Sequence, residues 1–249
     1  MRALLAALLL VVAVPAEAAR VVSLNLCTDE FLVLLAPEQV VALSPLARDP
    51  SLSVVAAQAA LLPWVRADAE AVIALRPDLV LAASYGARAT LDALQRRGLR
   101  VERTTLPDGF EAIRAETRRL AALLGETKRG EALLADMDRR LAVPPHRPAA
   151  TAIALEARGW TAGPGSLTDA VLRAAGLGNG GSGGQMGLET LATRKPDLLV
   201  VSTPPDYPAL ATEMLRHPAL AGIPRREVPP ALLACGGPWT AHAVELLAR

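Results

Sequence analysis

The sequence predicts an α/β chain of two lobes joined by a helical bridge. Three observations carry that prediction. Short apolar runs alternate with helical stretches, a long helical pattern occupies mid-chain, and one segment recurs in both halves. The 249 residues are 52% hydrophobic but only 3% aromatic, so Ala, Leu and Val must fill the interior. That is ample apolar material for one large domain or for two lobes of about 100 residues each.

The first segment reads as an address. Arg2 precedes an unbroken apolar run from Ala3 to Val14, Pro15 interrupts it, and Ala16-Glu17-Ala18 has small-x-small spacing. This is the pattern of a signal peptide over residues 1–19, cleaved near Ala18 or Ala19. The run is short for a membrane span. Export to the periplasm is the expectation.

A first lobe is predicted over residues 20–107. Arg20–Leu24, Val40–Leu43, Leu79–Ala82 and Val101–Thr104 read as buried strands, with helices over Ala69–Leu75 and Ala87–Arg97 between them. Strands alternating with helices imply a parallel sheet covered on both faces, and near-continuous apolar strands agree. Residues 108–148 form the predicted bridge. Phe110, Ile113, Leu120, Leu124, Leu133, Met137 and Leu141 fall near helical spacing. Gly125 and Gly130 leave one long helix and a broken pair both open, and a Pro-rich stretch from Pro144 to Pro148 ends the pattern.

The second lobe is predicted over residues 149–249. Strands are read at Thr151–Leu155 and Leu198–Val201. Helices are read at Leu167–Ala175, Leu188–Thr193, Ala209–Arg216 and from Thr240 onward. Ser166 suits an N-cap, with Asp169 three residues on and Gly176 past the end.

The recurring segment is the most informative feature. Glu70 stands seven positions before Pro77, and Glu189 stands seven before Pro196; each proline is flanked by a basic residue and by Asp-Leu entering an apolar strand. A carboxylate in the first helical turn complements the helix dipole, and proline then stops the helix. Two copies in corresponding places favour duplicated architecture.

Composition narrows the function. With 26 Lys+Arg against 25 Asp+Glu, no basic stripe invites nucleic acid. Three scattered His and two Cys argue against a multi-His or Cys-rich metal centre. Gly180-Gly-Ser182-Gly-Gly184 matches a nucleophile elbow in form, but that motif needs a strand before it and a helix directly after. Ser182 is read instead as part of a flexible loop following a helix end at Gly176, and a periplasmic hydrolase is only a distant rival.

The chain resembles the periplasmic solute-binding proteins of ABC importers that handle cobalamin and ferric siderophores. The resemblance runs through Arg20–Glu30, Val41–Ser44, Leu75–Val80, Thr161–Leu167 and Lys195–Leu198. It implies two Rossmann-like α/β lobes joined by a long α-helix that close little on ligand, a monomer without catalytic residues, and hand-over to an inner-membrane permease. Glu70 and Glu189 match the residues that engage permease Arg side chains. Two separated carboxylates on a rigid body can fix orientation through charge-assisted hydrogen bonds.

The cleft should lie at the carboxyl ends of the strands. Asn25, Leu46, Trp64, Tyr85, Gly165 and Trp239 are the candidate ligand contacts, with Trp160 a further aromatic. Trp64 matches a Trp that contacts the corrin ring in cobalamin-binding members, whereas Leu46 stands where they often carry an aromatic. Arg48, Arg66, Arg88 and Arg158 are possible partners for a siderophore. Cobalamin is the expected ligand, with a ferric siderophore or heme as the alternative. Two Cys in an oxidising compartment usually pair. Cys27 and Cys235 are expected to form a disulfide near the cleft, worth about 4–5 kcal/mol in the entropy model.

Overall fold

A computed structural model describes residues 18–142, 150–203 and 210–249. The signal-peptide core, the Pro-rich linker and Ala209 lie outside the described residues. In the first lobe, β1 (Val21–Ser23), β2 (Val40–Ala42), β3 (Leu79–Ala83) and β4 (Arg100–Thr104) pair in parallel, in the order β2-β1-β3-β4. The central strands β1 and β3 are buried throughout, as their apolar runs require. Helices α1 (Leu26–Leu35), α2 (Ala56–Ala59), α3 (Ala69–Ala74) and α4 (Arg88–Arg96) complete the lobe.

Helix α1 has no counterpart in the sequence reading. Nine of its ten residues are buried, Asp29 and Glu30 included, so it carries no polar stripe for periodicity to reveal. Its start is set locally, where the Asn25 side chain accepts a hydrogen bond from the Cys27 N–H at 3.0 Å.

The bridge is a pair of helices rather than one long helix: α5 (Phe110–Leu123) and α6 (Thr127–Leu141). Gly125 causes the break. Its φ of +74° is left-handed, and the Glu126 and Gly125 N–H groups donate back to the Ala121 and Ala122 carbonyls, which is a Schellman stop. Gly130 then lets the two helices meet, because a Cβ there would lie 2.5 Å from the Ala121 Cβ. The chain therefore crosses between lobes repeatedly. Phe110 packs on the second-lobe core and Leu120, Ala121 and Leu124 on the first. Helix α6 returns, from an Arg129 bond to the Leu35 carbonyl to an Arg140–Glu245 ion pair at 2.7 Å. Its 15 residues span about 22 Å at 1.5 Å each.

The second lobe repeats the first. Strands β5 (Ala150–Leu155), β6 (Leu177–Asn179), β7 (Leu198–Ser202) and β8 (Arg225–Val228) are parallel in the order β6-β5-β7-β8. Helices α7 (Leu167–Ala174), α8 (Leu188–Arg194) and α9 (Ala241–Ala248) pack with them. Over Leu210–Arg216 the chain forms a 3-10 turn where an α-helix was expected. Strands β6 and β8 were not foreseen. They are short edge strands containing Gly178 or the pair Arg225-Arg226, and so lack a buried apolar run.

The recurring segment now has a physical meaning. Arg76 and Lys195 both adopt positive φ, +48° and +43°, and each stands before a proline, which disfavours continuing the right-handed helix. Asp78 then accepts the Arg20 N–H at 2.8 Å, and Asp197 accepts the Thr151 N–H at 2.8 Å. In each lobe the aspartate fastens the start of the first strand beside the third.

Candidate functional site

The carboxyl ends of the two sheets meet. Cys27 follows β1 and Cys235 follows β8, and the two form a disulfide with their Cα atoms 5.3 Å apart. Pro107, beyond β4, touches the backbone at Gly236. Loops from both lobes thus flank one region, as the topology of parallel sheets requires of a ligand site.

Large apolar side chains are exposed there. Leu46, Trp64, Tyr85, Leu106 and Trp160 are each 46–53% exposed, and each follows the carboxyl end of a strand. Trp64 is held at its post by backbone bonds between Leu43 and the Pro63–Val65 segment. Tyr85 follows β3, Leu106 follows β4, and Trp160 follows β5. Half-exposed indoles and a phenol offer flat, rigid contact area, and a bulky apolar ligand would take that surface out of water.

Cations accompany these aromatics. Arg66, Arg88 and Arg158 lie within three residues of Trp64, Tyr85 and Trp160 respectively; all are exposed. Their guanidinium groups make no ion pair or hydrogen bond among the described residues. Arg48, by contrast, is already used: its guanidinium donates to the Ala59 and Leu62 carbonyls and so shapes the loop after β2.

The remaining candidates divide. Gly165 is exposed and left-handed (φ +79°), and its N–H donates to Asp169. The Asn25 side-chain oxygen, Oδ1, caps α1, which leaves its side-chain Nδ2 for other partners. Trp239 is not on an open wall. It is 7% exposed and packs on Phe31, ring centroids 5.1 Å apart, so its place is the core. Glu70 and Glu189 are both exposed in the first turns of α3 and α8, which occupy corresponding places in the two lobes.

Buried polar groups that sequence reasoning missed support the cleft loops. Asp29 accepts bonds from the Ser44 N–H at 3.0 Å and the Ser44 hydroxyl at 2.5 Å. Glu30 accepts the Val54 N–H at 2.9 Å. Adjacent carboxyls thus grip both ends of the segment that carries Leu46. Burial raises the Asp29 carboxyl to about 7 despite the Ser44 bonds, and raises Glu30 to about 8. Asn25 followed by two acids hinted at a helix start, but nothing in one dimension brings Ser44 to Asp29.

Ser182 does follow a strand, the short β6, contrary to the sequence reading. Helix α8 begins only at Leu188, and the Ser182 hydroxyl faces Thr161 at 3.4 Å, so the elbow's strand–turn–helix is incomplete. Among the described residues no cluster of His, Cys, Asp and Glu could hold a metal ion.

A family of proteins described as periplasmic binding proteins matches residues 21–224. The chain belongs to that family. Its members, as periplasmic substrate-binding components of ABC importers, deliver ligand to a membrane permease. No curated protein matches in a sequence search. Among solved structures, a periplasmic heme-binding protein from Pseudomonas aeruginosa is 25% identical, with a TM-score of 0.73 over 92% of this chain and 91% of that one. The heme-binding protein RhuT from Roseiflexus sp. RS-1 is also 25% identical, with a TM-score of 0.70 over 93% and 97%. HutB of Vibrio cholerae, at 18% identity and a TM-score of 0.75 over 93% and 98%, shares the fold.

Proposed function

We propose that this binding protein captures a flat, anionic iron chelate, with heme as the first choice, and hands it to an ABC importer from the periplasm. The observation that carries the reading is that, within three positions of each of three exposed aromatics, stands an exposed arginine with no partner among the described residues: Arg66 near Trp64, Arg88 near Tyr85, Arg158 near Trp160. A porphyrin has two apolar faces and two carboxylates, which suit indole walls and guanidinium forks. Tyr85 adds a phenol of the kind that ligates heme iron in some proteins. Cobalamin, the ligand expected from the sequence, presents mainly neutral amides and would leave the arginines without carboxylates. The heme-binding neighbours at 25% identity also favour the alternative over cobalamin.

Titration of intrinsic tryptophan fluorescence with hemin, ferric siderophores and cobalamin tests the choice. Tightest quenching by hemin is expected, together with loss of affinity in Arg66→Ala and Arg158→Ala. Tightest binding of cobalamin, unaffected by those substitutions, would overturn it.

Docking falls to Glu70 and Glu189. Both are exposed, and the duplicated topology sets them at equivalent points of two lobes. Replacing both by Ala should lower ligand uptake by cells while hemin affinity stays unchanged; unchanged uptake would refute the assignment. Export by the N-terminal segment and a monomeric state complete the proposal.

A further inference from the structure

The segment Cys235-Gly236-Gly237-Pro238-Trp239 does not stay with the lobe that supplies it. Before it, Val228 and Leu232 pack on the second-lobe core; after it, Ala243, Val244 and Leu247 do the same. Between them Cys235 and Trp239 belong to the core of the first lobe, beside Leu26, Phe31 and Leu35. Every residue from Cys235 to Thr240 is buried.

The composition of the segment answers that position. A side chain at Gly236 would meet the Pro107 carbonyl oxygen at 2.8 Å, and one at Gly237 would lie 2.2 Å from the Trp239 ring. Two glycines therefore let the chain slip against the first lobe and fold the indole back over itself. The disulfide to Cys27 closes the insertion covalently. Its anchor, α1, is the helix whose Asp29 and Glu30 hold the cleft segment carrying Leu46.

We propose that residues 235–240 are an interlobe strap: an arm of the second lobe, seated in the first and locked by the Cys27–Cys235 disulfide, that holds the cleft at one aperture. Lobes joined only by connecting segments move relative to one another by default. The helices α5 and α6 restrain one side of the junction, and the strap adds a covalent tie on the carboxyl side of both sheets. Reduction removes that tie. A phosphine attacks one sulfur and the S–S bond breaks; water then supplies the oxygen of the phosphine oxide and the two protons that leave both sulfurs as thiols.

Single-molecule energy transfer between maleimide dyes tests the strap without ligand, so its outcome is separate from the heme reading. The dyes go on Gln95→Cys in α4 and Thr190→Cys in α8, both exposed and one in each lobe. The oxidised chain should give one narrow distance distribution. Adding a phosphine reductant should broaden it about twofold or more, and reoxidation should restore it. The doubly labelled Cys27→Ser/Cys235→Ser variant should be broad from the start and indifferent to reductant, which also covers a disulfide too buried to reduce. An unchanged narrow distribution in either reduced chain (thiol titration confirming two free thiols) or folded variant would overturn the strap.

Discussion

The two lobes share a strand order and even a device, yet they treat it in opposite ways. In each, an aspartate in the first turn of the first helix holds the end of an edge strand. Asp29 takes Ser44, just beyond β2, and Asp169 takes Asn179, at the end of β6. Among the described residues Asp29 has no ion-pair partner, and burial lifts its carboxyl to about 7. Burial also acts to raise Asp169, but the Gly165 N–H, Asn179 and Arg173 outweigh it and hold the group below the usual carboxylate range. Duplication preserves topology because backbone pairing enforces it. Ionisation follows local water, hydrogen-bond donors and counter-charge, and at Asp169 the Gly165 N–H and the Asn179 amide come before Arg173 in holding the carboxylate charged.

The largest effect that would sharpen this comparison comes from the bond between the lobes. Cys27→Ser with Cys235→Ser should lower the unfolding free energy by up to about 5 kcal/mol, since the disulfide closes a loop of 208 residues, and urea denaturation reads it. If both lobes grip the ligand, Trp64→Ala in the first and Trp160→Ala in the second should each cost about 2 kcal/mol of hemin binding, or roughly thirtyfold in Kd. A loss confined to Trp64→Ala would make the cleft one-sided.

The aspartates themselves separate next. Asp169→Asn removes charge-assisted bonds and should cost about 2 kcal/mol, whereas Asp29→Asn replaces a carboxyl raised toward neutrality and should cost under about 1 kcal/mol. Equal losses in thermal melts would break the contrast. The smallest effect is in pH. Groups raised in the folded state contribute stability that is complete below their unfolded values near 4 and is lost as pH rises through about 7 for Asp29 and about 8 for Glu30. Asp169, being lowered, works the other way: its contribution is present above about 4 and fades as pH falls. Asp29→Asn should therefore flatten the decline toward pH 8, and Asp169→Asn the decline toward acid.

Much of this was legible in one dimension. The buried central strands announced themselves as apolar runs, and the basic-Pro-Asp-Leu repeat exposed the duplication because helix stop and strand start are local events. Helix α1 escaped because it is apolar on every side but for two acids. Strands β6 and β8 escaped because an edge strand owes its existence to a neighbour. Trp239 looked like a cleft residue and is core, a difference that depends on what lies across from it.

By itself the sequence determined the lobed α/β plan, the break at Gly125 as one of two outcomes, and the availability of two cysteines. These rest on periodicity, proline and glycine, whose effects act within a few residues. Only the tertiary structure decided that the bridge doubles back, that Ser44 reaches Asp29, and that a segment of the second lobe is seated in the first. Each of those joins positions far apart in the chain, where contact depends on the packing of the whole and no local pattern encodes it.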